Sequence, residues 1–166
     1  MVLFPAEFAC SRSLRKTIRN GHYATSADRA FSAIIRGCAA PRRGAPGTWL
    51  NSDMILAYEQ LHALGYAHSI ESYEDGQLAG GLYGIQLGRV FFGESMFSLK
   101  RDASKVAMAR LVEECRARDI QLIDCQVASS HLASLGARQL ARAEFAGLLR
   151  RFAARRPAAS WAAAGS

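Results

Sequence analysis

The sequence lacks the features of membrane, secreted and metal-binding proteins. No apolar run approaches the roughly 20 residues that a membrane-spanning helix requires. Residues 1–16 have neither the order of a signal peptide, charged and then apolar, nor the pattern of an amphipathic transit sequence. The four cysteines have no CxxC spacing, and the four histidines lack the spacing of zinc ligands. These absences predict a cytoplasmic protein with reduced, buried thiols and no metal site.

Acidic residues are also scarce. The 166 residues include 14 Asp and Glu against 21 Lys and Arg, which gives a formal net charge of +7 at pH 7. Half of the residues are hydrophobic and 21% are charged, as in ordinary globular domains, and a chain of this length can bury a core without disulfides. The charge favours a polyanionic partner, and composition does not choose between nucleic acid and an acidic membrane surface.

Hydropathy patterns predict one α/β domain of the α+β kind. Segments with helical periodicity are 11–20, 28–38 with Asp28 as its cap, 51–64 with Asn51 or Ser52 as its cap, 104–118 and 140–154. Segments typical of strands are 67–73, 77–86, 89–97 and 120–126, the first three joined by hairpin turns. We expect a mixed, mostly antiparallel sheet flanked by helices. The domain would span 1–156, followed by a disordered Ala-rich tail at 157–166.

Three segments mix polar groups into an apolar context. They are GTWL at 47–50, FFGESMFS at 91–98 and LIDCQVASSHLASLGAR at 122–138. If 120–126 is one strand, Asp124 and Gln126 share a face, because alternate residues of a strand point the same way. A buried carboxylate and amide need hydrogen-bond partners. From these residues alone, a structural hydrogen-bond network is the favoured interpretation, and a reactive site is the alternative.

The same segments carry a resemblance to a known family. GTW, AHSIE, GGLYG, GESMFS, LIDCQ and HLASLGAR occur in the order and at the spacing of the leucyl/phenylalanyl-tRNA–protein transferases, which the chain resembles from about residue 2 to 145. The resemblance implies a fold similar to the GNAT acyltransferases. It also implies an enzyme that moves Leu, Phe or Met from aminoacyl-tRNA to the N-terminal Arg or Lys of a protein, which creates an N-degron for proteolysis.

The resemblance also implies roles for individual residues. Gln126 would accept a hydrogen bond from the attacking α-amine, Asp124 would orient and polarise Gln126, and Glu94 would attract the cationic end of the acceptor. Aminoacyl-tRNA is already an activated ester, so no cofactor, ATP or enzyme nucleophile is expected. The aminoacyl pocket of the family falls at Trp49, Leu82, Phe91 and Leu111.

Binding of tRNA is expected through basic side chains, because phosphates dominate such interfaces. A stripe on the first predicted helix and a basic loop at 39–48 are the main candidates: Arg12, Arg15, Lys16, Arg19, Arg42 and Arg43. Further candidates are Arg36, Arg150, Arg151, Arg155 and Arg156. His131 and Ser134 follow the predicted strand with Asp124, and they either position the site or cap a helix.

The chain departs from the family at its beginning. Family members usually carry a further segment before the equivalent of VLFPAEF, and Met1 stands where that segment would already have joined. In the family this segment supplies part of the aminoacyl pocket and of the tRNA surface. Whether the start is an internal Met or a genuine truncation, we expect the chain as written to be a monomer of reduced activity.

Two other function classes compete with this interpretation. A GNAT-type N-acetyltransferase would bind the pyrophosphate of acetyl-CoA on a glycine-containing loop that opens a helix, and LKRDAS at 99–104 has no glycine. A non-enzymatic RNA-binding module would explain the net charge of +7. It would not explain Asp124 and Gln126, and no signature of an RRM, KH or dsRBD domain is found.

Overall fold

The computed structural model describes residues 1–41, 50–156, 159 and 161. Six strands form one sheet: β1 (Val2–Leu3), β2 (Ala24–Ala27), β3 (Ala67–Glu74), β4 (Gln77–Leu87), β5 (Val90–Ser98) and β6 (Leu122–Asp124). Their order is β1-β6-β5-β4-β3-β2. The β5–β6 pair is parallel and the other pairs are antiparallel. The mixed, mostly antiparallel sheet predicted from the sequence is confirmed.

Helices cover both faces of the sheet. They are α1 (Arg12–Arg19), α2 (Phe31–Ala39), α3 (Ser52–Ala63), α4 (Ala103–Ala117), α5 (Ser130–Ser134) and α6 (Arg142–Phe152), with a 3-10 turn at Pro5–Glu7. On one face, α1 and α4 bury a core that includes Leu14, Leu82 and Leu111. On the other face, α2 and α3 pack over Tyr83 and Phe97, so the sheet separates two apolar cores.

Local sequence signals set most of these boundaries. The hydroxyl of Ser11 accepts from the N–H of Leu14 at the start of α1, and the amide oxygen of Asn51 accepts from the N–H of Met54 at the start of α3. The β3–β4 hairpin turns at Asp75 and Gly76, both at positive φ, which is the conformation of tight hairpin turns.

The structure corrects the prediction before α2. Asp28 does not cap that helix, which begins at Phe31 without a side-chain cap. The carboxylate of Asp28 instead accepts from the N–H of Ser69 and contacts Nδ1 of His68, both at 2.8 Å. The preceding residues form β2, which the sequence analysis missed, as it missed β1. Both strands are too short to show an alternating pattern, and both exist because a longer strand pairs with them.

Trp161 lies in the segment predicted to be a disordered tail, yet it packs on the domain. Its ring stacks on that of His68 with 4.4 Å between centroids, and the guanidinium of Arg118 lies 4.5 Å from its centroid. Its indole N–H donates to the side-chain oxygen of Gln86. Within 157–166 only Ala159 and Trp161 belong to the described residues, and the domain boundary at 156 stays a prediction.

Candidate active site

A cleft of about 460 Å³ opens where β5 and β6 separate. The two strands pair only from Val90 to Phe92, and β5 then continues without β6 as far as Ser98. Along this stretch β5 remains paired with β4 and carries a bulge, because Tyr83 pairs with Ser95 while Gly84 pairs with Gly93. Glu94 is the extra residue of this bulge, a feature that commonly redirects a side chain beside a functional site.

The cleft has an apolar side and a polar side. Leu82 belongs to the core under α4, whereas its neighbour Tyr83 belongs to the core under α2 and α3. Successive residues of a strand point to opposite faces of the sheet. Because Leu82 and Tyr83 both line the cleft, the cleft reaches both faces of the sheet. The apolar side is lined by Leu82, Met96, Met108, Leu111, Ile123 and Leu132. The polar side includes Glu94, Ser95 and Tyr83.

Four of the predicted site residues meet in this cleft: Glu94, Gln126, Leu82 and Leu111. Phe91 is fully buried in the core of α1 and α4, and its position among the pocket residues stays a prediction. Trp49, with the rest of the GTW motif, lies outside the described residues. Asp124 contacts the cleft indirectly, through Gln126.

Asp124 and Gln126 do not share a strand face, which corrects the sequence analysis. β6 ends at Asp124, and Gln126 is exposed at φ 56°. Oδ1 of Asp124 accepts a hydrogen bond from the backbone N–H of Gln126 at 2.9 Å. This contact turns the chain out of the sheet, because an Asp side chain that binds the backbone two residues on forms a turn in place of a ladder. The turn holds Gln126 at the wall of the cleft.

Glu94 has a partner that the sequence analysis did not identify. Oε2 of Glu94 accepts from the hydroxyl of Tyr58 on α3 at 3.1 Å. Burial and the charge of Glu94 both raise the pKa of Tyr58, so its hydroxyl stays protonated and donates to the carboxylate. Tyr58 follows the apolar period of its helix, and this pattern alone indicates a core residue. Only the tertiary structure reveals its contact with Glu94.

His131 and Ser134 lie on α5 with different roles. His131 lines the cleft, and its Nε2 atom is buried without a hydrogen-bond partner among the described residues. Burial, and then the charge of Lys105 on α4, lower the pKa of His131. The hydroxyl of Ser134 donates to the carbonyl of His131 at 2.6 Å, so Ser134 stabilises the end of the helix.

The family model described as leucyl/phenylalanyl-tRNA protein transferase matches residues 2–150, which is most of the chain. The chain belongs to this family. Curated leucyl/phenylalanyl-tRNA–protein transferases from Nitrosospira multiformis, Chromobacterium violaceum and Pseudomonas entomophila are 54%, 52% and 53% identical to it over 87%, 90% and 96% of its length. The chain spans 62%, 64% and 71% of these relatives.

Solved acetyltransferases share the fold of this transferase-family chain. A predicted acetyltransferase from Clostridium acetobutylicum, solved with acetyl-CoA, aligns with a TM-score of 0.54 and 14% identity over 72% of this chain and 91% of that one. An aminoglycoside acetyltransferase from an uncultured soil sample also gives a TM-score of 0.54, at 8% identity over 74% and 93%. At such identities the likeness shows the fold alone, and it confirms the GNAT-like architecture.

The basic residues predicted to bind tRNA lie in different parts of this family member. Arg12, Arg15, Lys16 and Arg19 are all exposed on α1. Arg42 and Arg43 lie outside the described residues. Of the further candidates, Arg36 pairs with Glu59 at 3.2 Å. Arg150, Arg151, Arg155 and Arg156 are exposed in or after α6.

No group of three or more His, Cys, Asp or Glu side chains in the described part is arranged to hold a metal ion. None of the helices traced there combines the length and the apolar character that a membrane crossing needs.

His131 makes the stability of this family member depend on pH. Its lowered pKa means that the unfolded chain takes up a proton first as the pH falls through the ordinary value of 6.5. The free energy of unfolding therefore decreases below that pH, down to the pKa of the folded state. When the pH is lowered from about 7.5 to 5.5, we expect the free energy of unfolding to fall less in His131→Gln than in the unmodified chain, as measured by urea titration. Equal losses would contradict this assignment.

Proposed function

We propose that the chain transfers Leu, Phe or Met from aminoacyl-tRNA to the N-terminal Arg or Lys of an acceptor protein. The proposal is carried by the cleft, in which Gln126 and Glu94 lie beside an apolar pocket. The family name supports the same donor and reaction class. The product would be an N-degron, made in the cytoplasm by a monomeric enzyme.

The reaction depends on a correctly aligned nucleophile, because the acyl group does not have to be activated by the enzyme. The acyl group arrives as an ester of tRNA, and attack by the acceptor's α-amine forms the peptide bond while the ester bond breaks and the tRNA hydroxyl leaves. An α-amine has a pKa of about 8, so an appreciable fraction of it is already neutral and nucleophilic near neutral pH without a strong base. In our proposal the side-chain carbonyl of Gln126 accepts from this amine, and Asp124 holds Gln126 in place.

The two sides of the cleft fit the two substrates. The apolar side, with Leu82 and Leu111, would take the Leu, Phe or Met side chain. Apolar pockets discriminate weakly, by roughly 1–3 kcal/mol per methylene, so tolerance of several amino acids is expected. On the polar side Glu94, oriented by Tyr58, would attract the cationic side chain of the acceptor. A charge-assisted hydrogen bond of this kind contributes about 1.5–3 kcal/mol.

The acetyl-CoA alternative is disfavoured by the start of α4. Asp102, at φ 63°, occupies the N-cap position, and its carboxylate accepts from the ammonium of Lys105 at 2.8 Å. A pyrophosphate requires positive potential at a helix N-terminus, and a carboxylate there opposes it.

The proposal is tested by transfer of labelled phenylalanine from Phe-tRNA to a peptide that begins with Arg. We expect transfer to the Arg peptide and none to the same peptide with N-terminal Glu, because Glu94 would repel a second carboxylate. Glu94→Gln should weaken the preference for Arg. Parallel incubation with acetyl-CoA tests the alternative. Acetylation without aminoacyl transfer would overturn the proposal.

The basic stripe on α1 predicts how tRNA affinity depends on salt. Log affinity falls as log salt concentration rises, and each phosphate contact makes the slope of this fall steeper by about 0.9 for a duplex. We expect the double variant Arg15→Gln/Arg19→Gln to lower both the affinity for Phe-tRNA and this slope, measured by filter binding. Arg142→Gln, which removes an exposed arginine on α6, is the control. A slope unchanged by the double variant would exclude the stripe as a phosphate-binding surface.

A further inference from the structure

The hydroxyl of Tyr83 is a buried polar group without a partner. The residue is fully buried, and among the described residues its hydroxyl has no hydrogen-bond partner. Tyr83 also lines the cleft, on the polar side. An unsatisfied buried hydroxyl lowers stability relative to an isosteric phenyl ring, so its position at the cleft wall calls for a ligand that completes it.

The ring of Tyr83 is fixed in place. It meets the ring of Tyr58 edge to face, with 5.1 Å between centroids, and that of Phe31 in the same manner at 5.9 Å. Its backbone pairs with Ser69 on β3 and Ser95 on β5. The hydroxyl therefore cannot swing out to water, and because its oxygen is buried, a partner that enters the cleft reaches it only when the side chains around it move apart.

The charge around Tyr83 indicates which ligand would complete the hydroxyl. Tyr58, which packs on the Tyr83 ring, donates its own hydroxyl to Glu94, so the phenol and the carboxylate lie on the same side of the cleft. Burial, with Tyr58, Cys38 and Glu94 nearby, raises the pKa of Tyr83 and keeps the phenol neutral. A neutral phenol oxygen beside a carboxylate suits a cation with several N–H donors, of which ammonium has three and guanidinium five.

We propose that the hydroxyl oxygen of Tyr83 accepts a hydrogen bond from the cationic side chain of the acceptor's N-terminal residue, next to its contact with Glu94. This inference rests on the proposed function and adds a second contact point to its acceptor subsite. The carboxylate accepts a charge-assisted hydrogen bond, and the phenol oxygen adds a second acceptor for another N–H group of the same cation. Tyr83 is then a specificity residue for basic acceptors.

The test compares Tyr83→Phe with the unmodified chain. We expect kcat/KM for the Arg peptide to fall about tenfold, mainly through the KM of the peptide, while the KM for Phe-tRNA stays unchanged. The thermal midpoint should stay constant or rise, because the variant removes an unsatisfied polar group. Tyr66→Phe makes the same chemical change at an exposed position and should alter none of these values.

Direct binding of the Arg peptide, measured by calorimetry, separates this inference from the proposed function. Transfer by the unmodified chain with an unchanged peptide KM in Tyr83→Phe would overturn the inference and leave the function standing. Weaker peptide binding by Tyr83→Phe in a chain that transfers no aminoacyl group would support the inference and overturn the function. A fall in thermal midpoint together with unchanged peptide binding would identify Tyr83 as a structural residue only.

Discussion

Asp124→Ala is expected to reduce kcat for aminoacyl transfer by about 100-fold or more, the scale seen when a positioned polar group is removed from an active site. The variant loses the acceptor for the N–H of Gln126, a contact of 2.9 Å. Without it, the left-handed conformation of Gln126 is no longer stabilised, because residues other than glycine adopt this conformation only when their surroundings hold it. The amide would then leave the wall of the cleft.

Asp124→Asn separates geometry from charge. Its side-chain oxygen can still accept from Gln126, and Asn favours the same kind of turn. We therefore expect a smaller loss, about tenfold, which reports the polarising effect of the carboxylate alone. Equal losses of kcat in Asp124→Asn and Asp124→Ala would assign the whole effect to the charge of Asp124.

Gln126→Ala should match Asp124→Ala, and the double variant should be no worse than either single variant. Residues that act as one unit show such non-additive losses. Single-turnover transfer from Phe-tRNA measures each rate, and Gln77→Ala, at an exposed position, is the control. Additive losses, or a Gln126→Ala variant of full activity, would contradict the proposed pairing.

Glu71→Ala is expected to lower the free energy of unfolding by several kcal/mol, because each buried donor left without a partner costs about 1–3 kcal/mol. Glu71 is fully buried on β3. Its carboxyl group accepts from the hydroxyl of Ser26 on β2, from the hydroxyl of Ser69 at 2.6 Å and from the N–H of Ala30 at 3.4 Å. Alanine would leave all three donors unpaired beside a new cavity.

The effect of Glu71 extends to the cleft through α2. Ala30 precedes this helix, and Cys38 near its end lines the cleft, so losing the contact at one end should disturb the wall at the other. Urea unfolding at constant m-value measures the stability. Glu71→Gln keeps one acceptor and should cost less, and Glu113→Ala, on the exposed face of α4, is the control. A loss below about 1 kcal/mol would show that the three donors find other partners.

Most of the fold was predictable because its signals are local. The helical periods of α1 and α3, the cap at Asn51, and the hairpin turn at Asp75 and Gly76 depend on residues close together in the chain. β1, β2 and the role of Asp28 were missed because each depends on a partner far along the chain. Asp is a residue type that commonly caps helices, but the carboxylate of Asp28 accepts from the N–H of Ser69 on β3 instead.

The sequence indicated candidate residues for the site, but it did not predict how they contact one another. The motifs around Glu94, Asp124 and Gln126 stand in the sequence, and they carried the family resemblance that the comparisons confirmed. Sequence reasoning placed Asp124 and Gln126 on one strand face, whereas the structure joins them through a turn. It also gave no sign of Tyr58 as the partner of Glu94, because its position in the helical period matches that of a core residue.

By itself the sequence determined the five longer helices, the central strands, the basic charge and the family, since these depend on composition, periodicity and short motifs. Tertiary structure alone decided that β5 and β6 separate after Phe92, and hence where the cleft opens. It also decided that the hydroxyl of Tyr83 is buried there without a partner. The physical reason is that burial and hydrogen-bond satisfaction are properties of the whole packing, and a periodic pattern specifies only which face of an element is apolar.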